Sequence, residues 1–207
     1  LMTTGEMDIG RIGKIVINGE TGIITAQSII CEKGFEGDSV SDVKAHSWAV
    51  GLHTYRDIIS ADKPVGKINQ IYWQSYGLDY RFLTVYIKNL YENYKNRIIP
   101  VDKILEYNKK GIPFCIFRQD TNKMTIEDLY IFEMNQNFRS MQFVPRKKDG
   151  SNVNHIDPEL DCYLFCTMVN GSKDIANDND SYSREIWIFD AASLNKESGQ
   201  GQYAVKD

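Results

Sequence analysis

Residues 15–25 show the architecture of this chain most plainly, and they read Ile-Val-Ile-Asn-Gly-Glu-Thr-Gly-Ile-Ile-Thr. β-Branched residues stand on both sides of a polar centre, and such side chains fit a pleated sheet. The central residues 18–22 combine an asparagine with two glycines, which is typical of a tight turn. The stretch therefore predicts two strands joined by a turn over residues 13–31.

Strand-like segments recur on both sides of a central helical region. The composition predicts strands near residues 43–52 and 67–75, where aromatic and β-branched residues collect. After Gly111 the chain returns to strands, which are predicted at residues 114–118, 125–132, 141–144, 163–168 and 185–189. The protein is therefore expected to be mainly β.

One amphipathic helix is predicted from about residue 79 to residue 96. Leu83, Ile87, Leu90 and Tyr94 recur at helical spacing, and charged residues mark the opposite face. An aspartate at the start of this segment suits the positive end of the helix dipole.

The next segment, from Pro100 to Tyr107, predicts either a second short helix closed by Gly111 or a strand, because its periodicity fits both. The order of strands, one main helix and further strands predicts a single α+β domain over residues 1–207. We expect a β-barrel or sandwich with the helix packed against one face. Residues 1–12 and 195–207 are predicted to be tails that are flexible or held by a partner.

Composition excludes several classes of protein. A length of 207 residues with 42% hydrophobic residues suits one soluble domain with a sizeable core. The net charge of −4 argues against a general nucleic-acid binder, and the basic run at residues 146–148 is interpreted as a solvated turn. No apolar run reaches the ~20 residues of a membrane helix. The polar, acidic N-terminus shows no signal peptide.

Patterns for catalysis or metal binding are weak. His46 and His53 fall on opposite faces near a strand and His155 lies in a loop, so no converging third ligand is predicted. Asp178 and Asp180 are not followed by the glycine and glutamate that an EF-hand calcium loop requires. We therefore expect no catalytic residue, no metal and no cofactor.

Two further features bear on chemistry. Residues 37–42 read Gly-Asp-Ser-Val-Ser-Asp, a faint match to nucleotidyltransferases that would use Asp38 and Asp42 on a divalent metal. A loop rich in serine and aspartate explains these residues equally well. The cysteines lack the spacing of a zinc site or a redox pair, and we expect them to be small buried side chains in a reducing cytoplasm. They are Cys31, Cys115, Cys162 and Cys166.

Four short segments occur in a fixed order, at residues 17–25, 64–68, 125–131 and 183–189. With the helix at 79–96, they resemble the haemolysin-coregulated protein (Hcp) family, the tail-tube subunits of type VI secretion systems. The family's aromatic-Arg hairpin is matched by Phe117-Arg118 or by Tyr107-Asn108. Residues 98–113 look like an insertion relative to the family, and its Gly-Arg-Arg-Gln-His motif is reduced to Gly66-Lys67.

The resemblance implies a mechanical rather than an enzymatic function. Six copies would pair their sheet edges head to tail into a ring, and stacked rings would form a tube that a sheath expels. The implied partners are further copies of the chain, sheath, spike and baseplate proteins, and effector proteins in the lumen, without nucleic acid or membrane insertion. Such a subunit is cytoplasmic before firing and is then secreted through the injection machine.

The resemblance also implies site residues. The 53–66 loop would be the arm that reaches the neighbouring subunit or ring, with His53, Tyr55, Arg56, Asp57, Asp62, Lys63, Pro64, Gly66 and Lys67. The motif segments contain Gly19, Thr21, Gly22, Thr125, Glu127, Arg184 and Trp187. Two alternatives stay open. One is a monomeric β-rich accessory or binding module of a phage tail or secretion machine, such as a tube terminator. The other is a metal-dependent nuclease or transferase that uses Asp38 and Asp42.

Overall fold

A computed structural model describes residues 12–32, 49–54, 67–75, 77–80, 83–93, 95, 100–146, 157–171, 182–194 and 205–206. Within these residues the chain forms strands and two helices. The strands are β1 (Gly13–Ile17), β2 (Ile24–Ile29), β3 (Cys31–Glu32), β4 (Ala49–His53), β5 (Gln70–Ser75), β6 (Cys115–Asp120), β7 (Thr125–Ile131), β8 (Gln136–Pro145), β9 (Cys162–Gly171), β10 (Tyr182–Asp190) and β11 (Val205–Lys206). The helices are α1 (Val85–Glu92) and α2 (Val101–Lys110).

The strands form two larger sheets and one hairpin. A five-stranded sheet has the order β3-β7-β6-β5-β4, a four-stranded sheet has the order β11-β10-β9-β8, and β1 pairs with β2 alone. Neighbouring strands are antiparallel except for the short parallel pair β3–β7. The predicted α+β class, mainly β, is therefore confirmed.

The main hydrophobic core lies between the two larger sheets. Alternate residues on β9 point into this core, as do Tyr72 on β5, Ile116 on β6 and Tyr130 on β7. Trp187 and Phe189 complete the aromatic part of the cluster from β10. Of the expected barrel or sandwich, the described residues therefore show two sheets packed face to face and no closed barrel.

Polar groups also join the two sheets across this core. The Tyr72 hydroxyl lies 2.7 Å from the Ala191 carbonyl oxygen and 3.1 Å from the Glu159 carbonyl oxygen. The Glu159 carboxylate accepts hydrogen bonds from the backbone N–H groups of Asn69 and Gln70, at 2.8 and 2.5 Å. These bonds fix the start of β5 to the segment that precedes β9.

The helical region differs from the single helix predicted at 79–96. Of the described residues before Thr84, Leu78 is held in an isolated β-bridge with Ile112. The Thr84 side chain accepts the backbone N–H of Ile87, and this cap sets the helix start at Val85. The predicted start near residue 79 is therefore wrong. The helix also ends at Glu92, with Asn93 as its C-cap, before the predicted end at about residue 96.

The segment after Pro100 is a helix rather than a strand, and it resolves the alternative that periodicity left open. Pro100 precedes α2, and Gly111 ends it with a backbone φ of 74°. The two helices pack on each other around Leu78 and Ile104 in a small separate cluster formed by residues 78–112. The expected single helix lying against a sheet face is thus replaced by a helical pair inserted between β5 and β6.

Most predicted strands are confirmed. The strands β6, β8, β9 and β10 are longer than expected, whereas β5 and β7 are shorter. The strand predicted at 43–52 is present as β4 from Ala49, and residues 43–48 lie outside the described part. Within the predicted tail at 195–207, Val205 and Lys206 pair with Ile186 and Glu185 of β10.

The basic run at residues 146–148 is not simply a solvated turn. The Arg146 Nε atom lies 3.3 Å from a carboxylate oxygen of Asp161, and its guanidinium also contacts Asp190. The same guanidinium stacks over the Tyr163 ring, 4.2 Å from its centroid. Arg146 is therefore a partly buried ion-pair residue, while residues 147 and 148 lie outside the described part.

Candidate functional site

The β1–β2 hairpin follows directly from the stretch that predicted it. The Asn18 side-chain oxygen accepts the backbone N–H groups of Glu20 and Thr21, at 2.9 and 3.0 Å. Gly22 adopts a φ of 69°, which a residue with a Cβ rarely adopts, and its N–H bonds to the Asn18 carbonyl at 2.8 Å. The predicted turn at residues 18–22 is confirmed.

The base of the hairpin is fixed to the five-stranded sheet. Ile30 is fully buried and packs with Phe117 and Met124, and its backbone N–H bonds to the carbonyl of Ile12 at 2.9 Å. The Lys14 ammonium donates to the Thr121 carbonyl at 2.9 Å. The chain then continues into β3, which pairs with β7. The hairpin thus leaves the domain from an anchored base.

Beyond its base the hairpin exposes apolar side chains. Five β-branched residues have between 43% and 63% of their surface exposed, and they are Ile15, Val16, Ile17, Ile23 and Ile24. Successive side chains of a strand point to opposite faces, so Ile15 and Ile17 occupy one face of β1 and Val16 the other. We call these five residues the hairpin patch. A two-stranded hairpin with apolar groups on both faces is marginally stable in water unless something covers it.

A second exposed apolar surface lies on the five-stranded sheet itself. Leu129 and Ile131 on β7 are 43% and 58% exposed. They stand opposite Phe117 and Cys115 of β6 in the register, and therefore share the face that the hairpin base covers. We call Leu129 and Ile131 the β7 patch. The base of the hairpin covers one half of this sheet face and leaves the β7 patch open.

The edges of the four-stranded sheet are poorly suited to adding another strand. The edge strand β8 carries a register shift between Phe138 and Ser140, and it ends at Pro145. A bulge bends an edge strand, and proline removes a backbone donor, so both features hinder edge-to-edge pairing. At the other side, β11 covers part of β10. In the described residues, association of this sheet through its edges is therefore less favourable than association through apolar faces.

Of the predicted arm residues, the structure describes only His53 and Lys67. His53 ends β4, and Lys67 is exposed just before β5. The remaining arm residues lie outside the described part of the chain, and they are Tyr55, Arg56, Asp57, Asp62, Lys63, Pro64 and Gly66. The structure therefore neither joins the arm residues into one site nor separates them.

The motif residues implied by the resemblance occupy two different environments. Gly19, Thr21 and Gly22 form the turn of the exposed hairpin. Thr125 is fully buried and bonds to the Glu127 carboxylate at 2.7 Å. On β10, Arg184 is exposed, while Trp187 is buried and donates from Nε1 to Glu185 at 2.8 Å. Of the aromatic-Arg alternatives, Phe117-Arg118 lies in the β6–β7 hairpin, whereas Tyr107-Asn108 lies in α2.

The described residues offer little chemistry for catalysis. They contain no group of three or more His, Cys, Asp or Glu side chains placed to hold a metal ion. Burial raises the pKa of Cys115 to about 11 and that of Cys162 to about 12, which keeps both thiols protonated and poorly nucleophilic. The acidic pairs Asp38–Asp42 and Asp178–Asp180 lie outside the described part, as do His46 and His155.

Sequence reasoning predicted the hairpin but missed its exposure. The available signal was a weakened alternation: residues 15–17 and 23–24 are apolar in succession, so the polar alternation of a half-buried strand is missing there. Such runs are usually buried on both sides. Among the described residues β1 and β2 pair only with each other, so these side chains are left at the surface.

Comparison with known proteins adds no relative to this description. No protein-family model, no curated protein and no solved structure matches the chain. Among the described residues, no helix has the length and apolar character needed to cross a membrane.

Proposed function

We propose that this protein is a non-enzymatic structural subunit that assembles with copies of itself. The observation that carries the proposal is the hairpin patch, five half-exposed β-branched side chains on an anchored and projecting hairpin. Isolated exposed apolar residues are normal on a protein surface, whereas a contiguous group on a protruding element marks an interaction site. Such a hairpin is stable in a subunit that is always assembled, because a neighbouring subunit covers the apolar side chains.

We propose further that the assembly is a tail tube of a contractile secretion or injection machine, built from stacked six-membered rings. The ordered segments that resemble the Hcp family support this form of assembly. The coarse architecture is compatible with it, since the chain is a mainly β domain with its helices inserted between two strands of one sheet. In this proposal the partners are other copies, sheath, spike and baseplate proteins, and small effector proteins in the lumen. The subunit is made in the cytoplasm and expelled with the tube.

One observation favours a second candidate, a monomeric accessory module such as a tube terminator. The edges of the four-stranded sheet are blunted by the β8 bulge, by Pro145 and by β11. Proteins that stay monomeric often protect their sheet edges in this way. The candidate differs from a tube subunit because it predicts contact with another protein and no self-association.

Negative-stain microscopy of the purified full-length protein tests the proposal directly. We expect rings with six-fold symmetry, or stacks of such rings. A field of single particles with the dimensions of one 23.8 kDa chain, at every concentration tried, would reject the tube subunit and favour the accessory module. Adding Mg²⁺ or Mn²⁺ to the same sample is expected to change neither the particles nor the stability of the protein.

A further inference from the structure

We propose that the hairpin patch of one copy docks on the β7 patch of the next copy. This inference rests on the proposed function, because it specifies which surfaces join the subunits of the assembly. Both patches are exposed in the same copy, so the chain does not cover one with the other. The two patches differ from each other, so their contact is heterologous, and repeated heterologous contacts close into rings or extend into filaments.

The contact continues one that already exists within each copy. The base of the hairpin places Ile12 and Ile30 over Phe117, Trp73 and Ile126 on one half of the sheet face. Leu129 lies directly opposite Phe117 in the register, so the β7 patch extends the same apolar layer. A neighbour's hairpin would place isoleucines on the β7 patch. Each copy already covers the other half of the same sheet face with its own isoleucines, Ile12 and Ile30. This continuity is the reason for choosing a second copy as the partner.

The anchored base gives the hairpin a defined reach. Lys14 and Ile30 hold the base of the hairpin against the domain, and the apolar side chains beyond them are about half exposed. A strand of five residues spans roughly 17 Å at about 3.4 Å per residue. The hairpin is therefore long enough to place its patch on an adjacent subunit while its base stays packed on its own.

The apolar area is large enough for the centre of an interface but not for a whole one. Five aliphatic side chains that are about half exposed present an apolar surface on the order of a few hundred Å². A stable interface buries about 800 Å² on each partner, and its centre is typically apolar within a polar rim. The patches are thus expected to act as the anchor of a larger contact, the part at which substitutions have the greatest effect.

Two complementary variants test the docking. The hairpin variant is Ile15→Lys with Ile17→Lys, and the β7 variant is Leu129→Lys with Ile131→Lys. An unpaired lysine buried in the contact disfavours it strongly. Each variant alone is therefore expected to need a protein concentration at least about 100-fold higher than the natural protein to assemble. Each keeps one intact patch, so an equimolar mixture is expected to form a one-to-one heterodimer and nothing larger. Light scattering measures both results.

Matched controls separate a local effect from added charge or misfolding. Ile186→Lys replaces an apolar residue of similar exposure, 40%, on the outer face of the four-stranded sheet, and it is expected to assemble like the natural protein. Replacing the same four residues with threonine keeps a residue type that favours strands but reduces the apolar surface. These variants are expected to weaken assembly without unfolding the protein. Circular dichroism and thermal unfolding check that every variant is folded.

The possible outcomes distinguish a failure of the docking inference from a failure of the proposed function. If the natural protein assembles and the folded β7 variant also assembles fully, the hairpin docks elsewhere and this inference is wrong while the proposed function stands. Dimers of the β7 variant alone point to hairpin-to-hairpin contact, which likewise overturns the inference. Folded variants that stay monomeric after mixing overturn it as well. If the natural protein itself is a monomer, both proposals fail together.

Discussion

The Tyr72 hydroxyl donates a hydrogen bond to the Ala191 carbonyl, 2.7 Å away, across the interior of the sandwich. Tyr72 belongs to β5 of the five-stranded sheet, and Ala191 directly follows β10 of the four-stranded sheet. Burial raises the pKa of Tyr72 far above its usual value, so the hydroxyl remains a donor at all ordinary pH values. The two sheets are therefore joined by a directional contact as well as by apolar packing.

Removing this hydroxyl is expected to destabilise the fold. Tyr72→Phe leaves the ring in place but deprives the buried Ala191 carbonyl of its donor, which costs about 1–2 kcal/mol in the free energy of unfolding. Denaturant titration measures the change. Tyr86→Phe is the control, since Tyr86 is largely exposed on α1 and its substitution is expected to be neutral. Equal stability of the two variants would show that the contact contributes nothing.

The carboxylate of Glu159 is expected to stabilise the start of β5. Glu159→Gln keeps the size of the side chain but replaces the charged carboxylate, which accepts hydrogen bonds from the N–H groups of Asn69 and Gln70, with a neutral amide. Charge-assisted bonds in a buried site are stronger than neutral ones, so we expect a loss of about 1–3 kcal/mol in the free energy of unfolding. Glu92→Gln, on the exposed side of α1, serves as the control. A similar small effect for both variants would contradict this role for Glu159.

Replacement by alanine is expected to destabilise the protein at one glycine and to have almost no effect at another. A Cβ on Gly77 would stand 1.7 Å from the Ile112 carbonyl oxygen, whereas a Cβ on Gly19 would meet no atom within 4 Å. Gly77→Ala must therefore displace the backbone that joins the helical pair to the sheet, and we expect a loss of more than about 2 kcal/mol. Gly19→Ala is expected to change stability by less than about 0.5 kcal/mol. Thermal unfolding of the two variants measures the difference, and equal midpoints would refute the close approach at Gly77.

The buried thiols are expected to resist modification until the chain unfolds. At pH 8 the thiolate fraction of Cys115, with its pKa raised from 9.0 to about 11, is about 100-fold below that of an ordinary thiol. Maleimide labelling followed by peptide mapping is expected to leave Cys115, Cys162 and Cys166 unmodified in the folded protein. All three are expected to react within minutes in denaturant. Rapid labelling of Cys166 in the folded state would contradict its burial.

The same thiols predict the direction of the pH dependence at alkaline pH. Their pKa values are higher in the folded protein than the ordinary value of 9.0 expected in the unfolded chain. Their contribution to stability is therefore complete below about pH 9 and is lost as the pH rises toward the folded pKa values of about 11 and 12. Denaturant titration between pH 8 and pH 10 is expected to show falling stability. A Cys162→Ala variant is expected to show a shallower fall.

Local patterns predicted those parts of the fold that depend on neighbouring residues. The turn at residues 18–22 and the end of α2 at Gly111 both follow from residues that tolerate positive φ. The alternation of Cys162, Leu164, Cys166 and Met168 likewise predicts one buried face of β9, which the structure contains. These features were predictable because a few adjacent side chains determine them.

Contacts between distant residues determine the features that sequence patterns failed to predict. The bridge between Leu78 and Ile112, which are far apart in sequence, holds residue 78 in an extended pairing, so periodicity alone placed the helix too early. The exposure of Ile15 and Ile17 depends on which strands pair with β1, and the residues of the hairpin alone do not determine this. The hairpin residues can be named from the sequence, but their exposure can be recognised only once the sheet order is known.

Self-assembly through the hairpin is best measured by light scattering over a series of concentrations, on the natural protein and on the Ile15→Lys, Ile17→Lys variant. We expect a mass near six times 23.8 kDa, or larger stacks, for the natural protein and the mass of one chain for the variant. A natural protein that has the mass of one chain at every concentration would contradict it, and so would a folded variant that assembles as fully as the natural protein.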